Sequence, residues 1–247
     1  MSERIVLVTG GSRGIGAAIA RLCARDGWRV AVNYRSDVQA ADAVVADIRR
    51  DGGEAHAFQA DLRDAAAIPA LFDAIERTMG VPLALVNNAG ITVGLGRFVD
   101  LREQVLRDVL ELNLVATMLC SQLLVRRWTR AGMQGRIVNV SSVAAATGSP
   151  HEYVHYAASK AAVDTFTIGL ARELAGEGIR VNAVSPGVTR TDIHAAGGDP
   201  QRAERLASRI PLGRAAEAGE IAEAVAWLLS DRATYATGTI MRVAGGL

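Results

Sequence analysis

Tyr156 and Lys160 stand four positions apart in the helical stretch Tyr156–Ala157–Ala158–Ser159–Lys160. Residues so spaced share one helix face, about 5–6 Å apart at Cβ. A free phenol titrates at about 10 and exchanges protons poorly near neutrality, whereas a neighbouring ammonium favours the phenolate and brings that value down. The pair therefore reads as a tunable acid/base. Alone, Tyr-x-x-x-Lys more often means a half-buried Tyr beside a solvated Lys, so the surrounding residues decide.

Arg136–Val140 is a β-rich run that ends in Ser141–Ser142. A hydroxyl at the carboxyl end of a parallel strand sits on the rim where open α/β sheets bind ligands. At the other end of the chain, the apolar run Ile5–Val8 stops at Thr9 and leads into Gly10–Gly11–Ser12–Arg13–Gly14–Ile15–Gly16, before a helical pattern from Ala17 to Arg25. Glycines between strand and helix let a phosphate approach the backbone, and the helix start supplies free N–H groups and a positive dipole end. The next strand, Val30–Asn33, is followed by Tyr34, Arg35 and Ser36, with no acid at its end. An acid there would grip a ribose 2′-hydroxyl, whereas an arginine accommodates a 2′-phosphate. Arg35, with Arg13 closing from the glycine loop, favours NADP(H); NAD(H) remains possible. Asp37 is expected to cap the following helix.

The remaining elements must hold these groups at one edge. Strands are expected at Ala55–Gln59, Leu83–Val86, Arg180–Val184 and Thr239–Val243, with helices at Ala40–Arg50, Ala65–Met79, Leu101–Arg130, Ala157–Leu174 and Glu220–Leu229. About seven strands alternate with helices and no repeat or linker intervenes, which predicts an α/β fold. The expectation is a single doubly wound (Rossmann-like) domain over 1–247, its strands parallel and helices on both faces. Asp61, before Leu62, could meet an adenine amino group or cap a helix. Asn87–Asn88–Ala89–Gly90 could serve a sharp turn or a ligand. Asn113, set among leucines, must find hydrogen-bond partners if buried. The segment 188–210, with Gly197, Gly198 and Pro200 at its middle, reads as a mobile lid.

Lys plus Arg number 27 against 26 for Asp plus Glu, with no basic stripe, which argues against nucleic acid as a partner. Glu3 and Arg4 come at once and no cleavage site follows, so no signal peptide is expected. Leu112 to Val125, the longest uncharged helical stretch, is too short to span a bilayer. Cys23 and Cys120 sit on apolar helix patterns and read as core residues without metal-ligand spacing. A cytoplasmic protein without metal is expected.

Taken together, Thr9-Gly10-x-x-x-Gly14-Ile15-Gly16, Asn87-Asn88-Ala89-Gly90, Asn113, Ser142, Tyr156-x-x-x-Lys160 and Pro186-Gly187 with Thr191 resemble the short-chain dehydrogenase/reductase family over essentially the whole chain. The resemblance implies that Tyr156 is the general acid in reduction and base in oxidation. Lys160 would lower its pKa and hold the nicotinamide ribose. Ser142 would bond the substrate oxygen, and Asn113 a water linking Lys160 to solvent. Gly10, Ser12, Arg13, Gly14, Ile15 and Gly16 would cradle the pyrophosphate. Tyr34, Arg35, Ser36, Asp61 and Leu62 would surround the adenosine end, with Asn88, Ala89 and Gly90 on the adenine ribose side. Pro186, Gly187, Val188 and Thr191 would reach the carboxamide end.

In many members the serine stands one residue closer to the tyrosine, but that position here is Val143, which has no hydroxyl. A loop one residue longer, Gly148–His155, keeps Ser142 as the candidate, with Ser141 the runner-up. His151 and His155 receive no role. The Pro150–Tyr156 loop and the Thr191–Pro200 segment are similar to those of sugar or glucose dehydrogenases and of 3-oxoacyl carrier-protein reductases. The implied activity interconverts a small carbonyl compound and a secondary alcohol. The alternatives are a sugar 1-dehydrogenase and, more remotely, a non-catalytic dinucleotide sensor. Apolar faces on the two long helices imply a homotetramer or homodimer.

Overall fold

β1 (Ile5–Val8) is buried throughout, with Ile5 and Leu7 packing on one face and Val6 and Val8 on the other. Side chains alternate along a strand, so an uninterrupted apolar run must be covered on both sides. The chain continues through α1 (Gly14–Arg25), β2 (Arg29–Tyr34), α2 (Val38–Arg50), β3 (Ala55–Gln59), α3 (Ala67–Thr78) and β4 (Ala84–Asn87). Then come α4 (Glu103–Leu110), a π-helical turn (Glu111–Val115), α5 (Ala116–Ala131), β5 (Arg136–Val140), α6 (Ala144–Thr147) and α7 (Val154–Leu174). The last part is β6 (Arg180–Pro186), β7 (Thr189–Arg190), α8 (Ile193–Ala196), α9 (Arg202–Ala207), β8 (Ala216–Glu217), α10 (Ala218–Leu229) and β9 (Ile240–Val243). This computed structural model describes residues 4–247, and Glu3 lies outside the described residues.

Seven parallel strands form one sheet in the order β3-β2-β1-β4-β5-β6-β9. The chain winds outward from β1 to β3, then starts again at β4 and winds the other way. The carboxyl ends of β1 and β4 therefore flank the switch point, where such sheets open a crevice. α1 and α10 cover one face with Ile19, Cys23, Ile221 and Val225; α3, α5 and α7 cover the other with Phe72, Leu124, Trp128 and Ala171. Burial pushes both thiols, Cys23 and Cys120, up to about 12, as suits inert core residues.

One expectation needs correction. The helix expected over Leu101–Arg130 begins at Glu103 and is broken by the π turn. As one rod, Glu103–Ala131 is 29 residues long and apolar enough by composition to cross a membrane. Here its apolar residues Ala116, Cys120, Leu124 and Trp128 are in the core, and Trp128 Nε1 donates to Pro82 O at 2.7 Å. The lid segment has short elements of its own. It carries β7, α8 and α9, pairs β7 with β8, and packs Val188, Ala203 and Ile210 with Ala215 and Leu247 into a small core of its own. Asp37 does cap α2, accepting the Ala40 N–H at 3.0 Å.

Candidate active site

α7 carries the Tyr156–Lys160 pair, and β5 delivers the serines beside it. Lys160 is 5% exposed, its Nζ donates to Val140 O at 2.7 Å, and it stands 5.8 Å from the centre of the Tyr156 ring. Removed from water, the ammonium is the costlier form, and burial brings Lys160 down from 10.5 to about 8. Burial also raises the Tyr156 phenol, while the Ser142 hydroxyl and then Arg202 pull it down. The net direction is upward, against the lowering expected from Lys160, because loss of solvent outweighs the Ser142 hydrogen bond, the larger of the two opposing effects. The two serines are held differently. Ser142 faces the phenol, and its Oγ also accepts the Ala144 N–H at 3.1 Å. Ser141 turns the other way, donating to Lys160 O at 3.4 Å, with Asp164 beside it.

Asn113 sits in the π turn, fully buried. Its Oδ1 accepts the Ile91 N–H at 2.8 Å, and its Nδ2 donates to Ile91 O at 3.0 Å and Ser159 Oγ at 3.1 Å. Ser159 in turn donates to Tyr156 O at 2.7 Å, so Asn113 ties the loop after β4 to the first turns of α7. Gly90 lies between: a Cβ there would stand 3.2 Å from Asn113 Oδ1 and 3.5 Å from Lys160 Nζ.

The glycine loop is locked onto the loop after β4. Thr9 Oγ1 accepts the N–H groups of Asn88 and Ala89 at 2.9 and 3.0 Å. Asn88 Nδ2 donates to Thr9 O and Gly10 O at 2.9 and 3.0 Å, so its amide braces the two loops against each other. Asn87 belongs to a buried polar ladder, donating to Asn139 and Ser121 at 2.8 and 3.0 Å. A Cβ on Gly16 would meet Gly10 O at 2.3 Å, so only glycine lets α1 start this close to the strand end. Arg13 precedes α1 in extended backbone, with no side-chain cap and no acid in the first turn. The helix start thus offers its free N–H groups and dipole to an anion. A pyrophosphate fits this cradle.

Where a ribose-gripping acid would stand, Asn33 instead turns inward. Its Oδ1 accepts the Gly10 N–H at 3.3 Å and its Nδ2 donates to Ala60 O at 3.2 Å. Arg13 and Arg35 are exposed at the rim. Asp61 caps no helix; Asp64 bonds the Ala66 N–H ahead of α3. The Asp61 carboxylate is chelated by Arg63, with Nη2–Oδ2 at 2.5 Å, which holds it below the usual carboxylate range.

A cavity of about 1010 Å³ runs from the glycine loop to Tyr156. All the residues expected from the sequence line it except Ser36, beyond its edge, and Asn113, behind Gly90. Thr191 closes over the glycine loop, its Cγ2 3.3 Å from where a Cβ of Gly14 would be. Among the described residues no group of His, Cys, Asp and Glu gathers to hold a metal. Sequence reasoning missed Thr92, Glu152, Tyr153 and Arg202, which also line the cavity. The available signal was the longer loop, which presents Glu152 to Arg202 at 2.5 Å and strains Ser149 and His151 into positive φ, +44° and +63°.

Residues 10–247 match the family profile described as enoyl-(acyl carrier protein) reductase. The chain is 48% identical over 244 residues to "Uncharacterized oxidoreductase YgfF" of Escherichia coli K12, covering 98% of this chain and 99% of that one. It is 41% identical over 241 residues to the 3-oxoacyl-[acyl-carrier-protein] reductase FabG of Staphylococcus aureus, covering 98% and 96%. To 3beta-hydroxysteroid dehydrogenase 1 of Eggerthella lenta it is 40% identical over 248 residues, covering 100% and 94%. A double mutant of a Serratia marcescens short-chain dehydrogenase/reductase superposes with a TM-score of 0.90 at 34% identity, over 98% and 97% of the two chains. A parallel sheet with its crevice at the β1/β4 switch point, and relatives that are reductases and dehydrogenases, define an oxidoreductase acting on CH–OH groups. The chain belongs to the short-chain dehydrogenase/reductase family.

Proposed function

We propose that the protein is an NADP(H)-dependent oxidoreductase that interconverts a carbonyl and a secondary alcohol, with Ser142, Tyr156 and Lys160 at the reacting centre. The observation that carries this reading is the Tyr156 phenol standing between the Ser142 hydroxyl and the buried Lys160 ammonium, in the same cavity as the uncapped start of α1. A nicotinamide cofactor, when bound, supplies the hydride in reduction and takes it in oxidation.

The chain's own residues manage the proton. In reduction Tyr156 Oη gives its proton to the substrate oxygen; in oxidation it takes the hydroxyl proton. Ser142 Oγ donates a hydrogen bond to that oxygen and offsets the charge developing there. Burial keeps the phenol protonated until the substrate needs it, and Lys160 offsets the phenolate left behind. Asn113, with one Oδ1 lone pair beyond its bonds to Ile91 and Ser159, holds the water through which Lys160 regains contact with solvent. Arg13 and Arg35 would take the 2′-phosphate. Segment 188–210 acts as the lid.

Leu110 and Met118, 41% and 42% exposed on α4 and α5, support self-association as a homotetramer or homodimer, which light scattering against the 26.0 kDa chain would read. The free thiols suit the reducing cytoplasm.

Tyr156→Phe tests the chemistry. It should lose turnover by about 10²-fold or more while still quenching or shifting NADPH fluorescence. Unchanged turnover would remove Tyr156 from the mechanism.

A further inference from the structure

At the substrate end of the cavity two buried polar atoms, Thr92 Oγ1 and Arg202 Nη1, have no hydrogen-bond partner among the described residues. Thr92 is 6% exposed and the Arg202 side chain 13%, and both residues line the cavity with Tyr156. They belong to one wall. Tyr153 Oη donates to Gly197 O at 3.1 Å, and a Cβ on Gly197 would stand 2.8 Å from Thr92 O and 2.9 Å from Tyr153 Oη. The Arg202 guanidinium stacks over the Tyr153 ring at 5.3 Å, and its Nη2 donates to Glu152 Oε2 at 2.5 Å.

The wall is otherwise tightly committed, which makes the two open valences informative. A buried polar group left unpaired is costly, and proteins keep few of them. Glu152 faces Arg202 and Arg205, and Asp199 pairs with Arg205, so the charges of the cluster balance and what Nη1 still lacks is an acceptor rather than a counter-charge. A substrate carboxylate would add a third negative group beside Glu152 and Asp199. An uncharged oxygen carries no such penalty, and the Thr92 hydroxyl can donate to it or accept from it.

We propose that Thr92 and Arg202 form a second substrate subsite, which receives an uncharged acceptor oxygen carried beside the reacting carbonyl. The substrate class is then a ketone or aldehyde bearing a further carbonyl or ester oxygen. Glu152, from the loop ahead of α7, holds Arg202 in place. This inference rests on the reading of Tyr156 as the reacting centre.

The test uses the enzyme with NADPH and three substrates of matched length: a simple ketone, the corresponding oxo ester and the corresponding oxo acid. Wild type should favour the ester over the ketone by about 10-fold or more in kcat/KM, and over the acid as well. Arg202→Met and Thr92→Val should each cut the ester-to-ketone ratio severalfold, with NADPH affinity as the check on folding. Thr92→Val is nearly isosteric and leaves the Glu152–Arg202 pair in place. A ratio equal in wild type and both variants overturns the subsite while leaving the proposed reaction standing. An acid preference that Arg202→Met removes overturns the assignment to an uncharged oxygen. A wild type that binds NADPH yet reduces none of the three overturns the reaction itself, and the subsite with it.

Discussion

Lys160 Nζ lies 2.7 Å from the carbonyl oxygen of Val140, the last residue of β5. One hydrogen bond therefore joins the helix that carries the phenol to the strand that carries the serine. A carbonyl orients the ammonium without neutralising it, so the charge stays available to the phenolate, and burial of that charge has a measurable cost.

That cost predicts a pH signature. The folded pKa of Lys160, about 8, lies below its ordinary 10.5, so between these values the unfolded chain binds more protons than the folded one. The penalty is fully present below the folded value and fades as pH rises through the window. Relative to Lys160→Met, the wild type should gain up to about 3 kcal/mol as pH climbs across it. Denaturant unfolding at both ends of the window reads the difference. A flat difference would mean that Lys160 titrates as it does in water. Turnover should be lost in the variant throughout.

The two adjacent serines separate cleanly. Ser142→Ala should lower kcat by about 10²–10³-fold, the loss of one donor to a developing oxyanion. Ser141→Ala removes only the bond to Lys160 O, beside Asp164, and should cost about 1 kcal/mol of stability with kcat within a few-fold. The reverse pattern would move the catalytic hydroxyl to Ser141.

Gly16→Ala should break the cradle without breaking the sheet. Its Cβ would stand 2.3 Å from Gly10 O and 2.4 Å from Asn88 Nδ2, both of them in the lock between the two loops. Dinucleotide affinity should fall by about 10²-fold or more, because the phosphate site lies at this helix start. Titration of nicotinamide fluorescence checks it, and an affinity near wild type would place the phosphates elsewhere.

Arg35→Ala tests cofactor choice. NADPH affinity should fall by about 10-fold or more and NADH affinity by little, since only the former carries the 2′-phosphate. The NADPH term should also weaken with added salt, because Arg35 is exposed. Equal losses for both cofactors would show that Arg35 does not meet that group.

Most of the sheet was legible because a strand buried on both faces reads as a run of apolar, largely β-branched residues, as in Ile5–Val8, and even Arg136–Val140 departs from this inside the sheet only at Asn139. The phosphate cradle was legible because glycines between strand and helix have few other uses. Asp37 was legible as a local cap. What escaped needed three-dimensional knowledge. Spacing puts Lys160 near Tyr156 but says nothing of water, so the direction of the phenol's shift was misread. Asn33 closes a strand end as any solvent-facing polar residue would, and only the packed loop shows its amide holding Gly10. Thr92 and Arg202 lie far apart in the chain and meet only through Tyr153 and Gly197. Gly197, Gly198 and Pro200 marked the lid but gave no sign of the short helices into which its flanks fold.

The π turn at Glu111–Val115 acts as a phase marker. It holds one residue more than an α turn, which rotates α5 against α4 by roughly 100° relative to an unbroken helix. In that phase Val109 and Trp128 both point inward while Leu110 and Met118 point out. Removing one residue here would leave a good helix whose downstream side chains all face the wrong way. Length variation among relatives should therefore collect in the lid and be nearly absent from this turn.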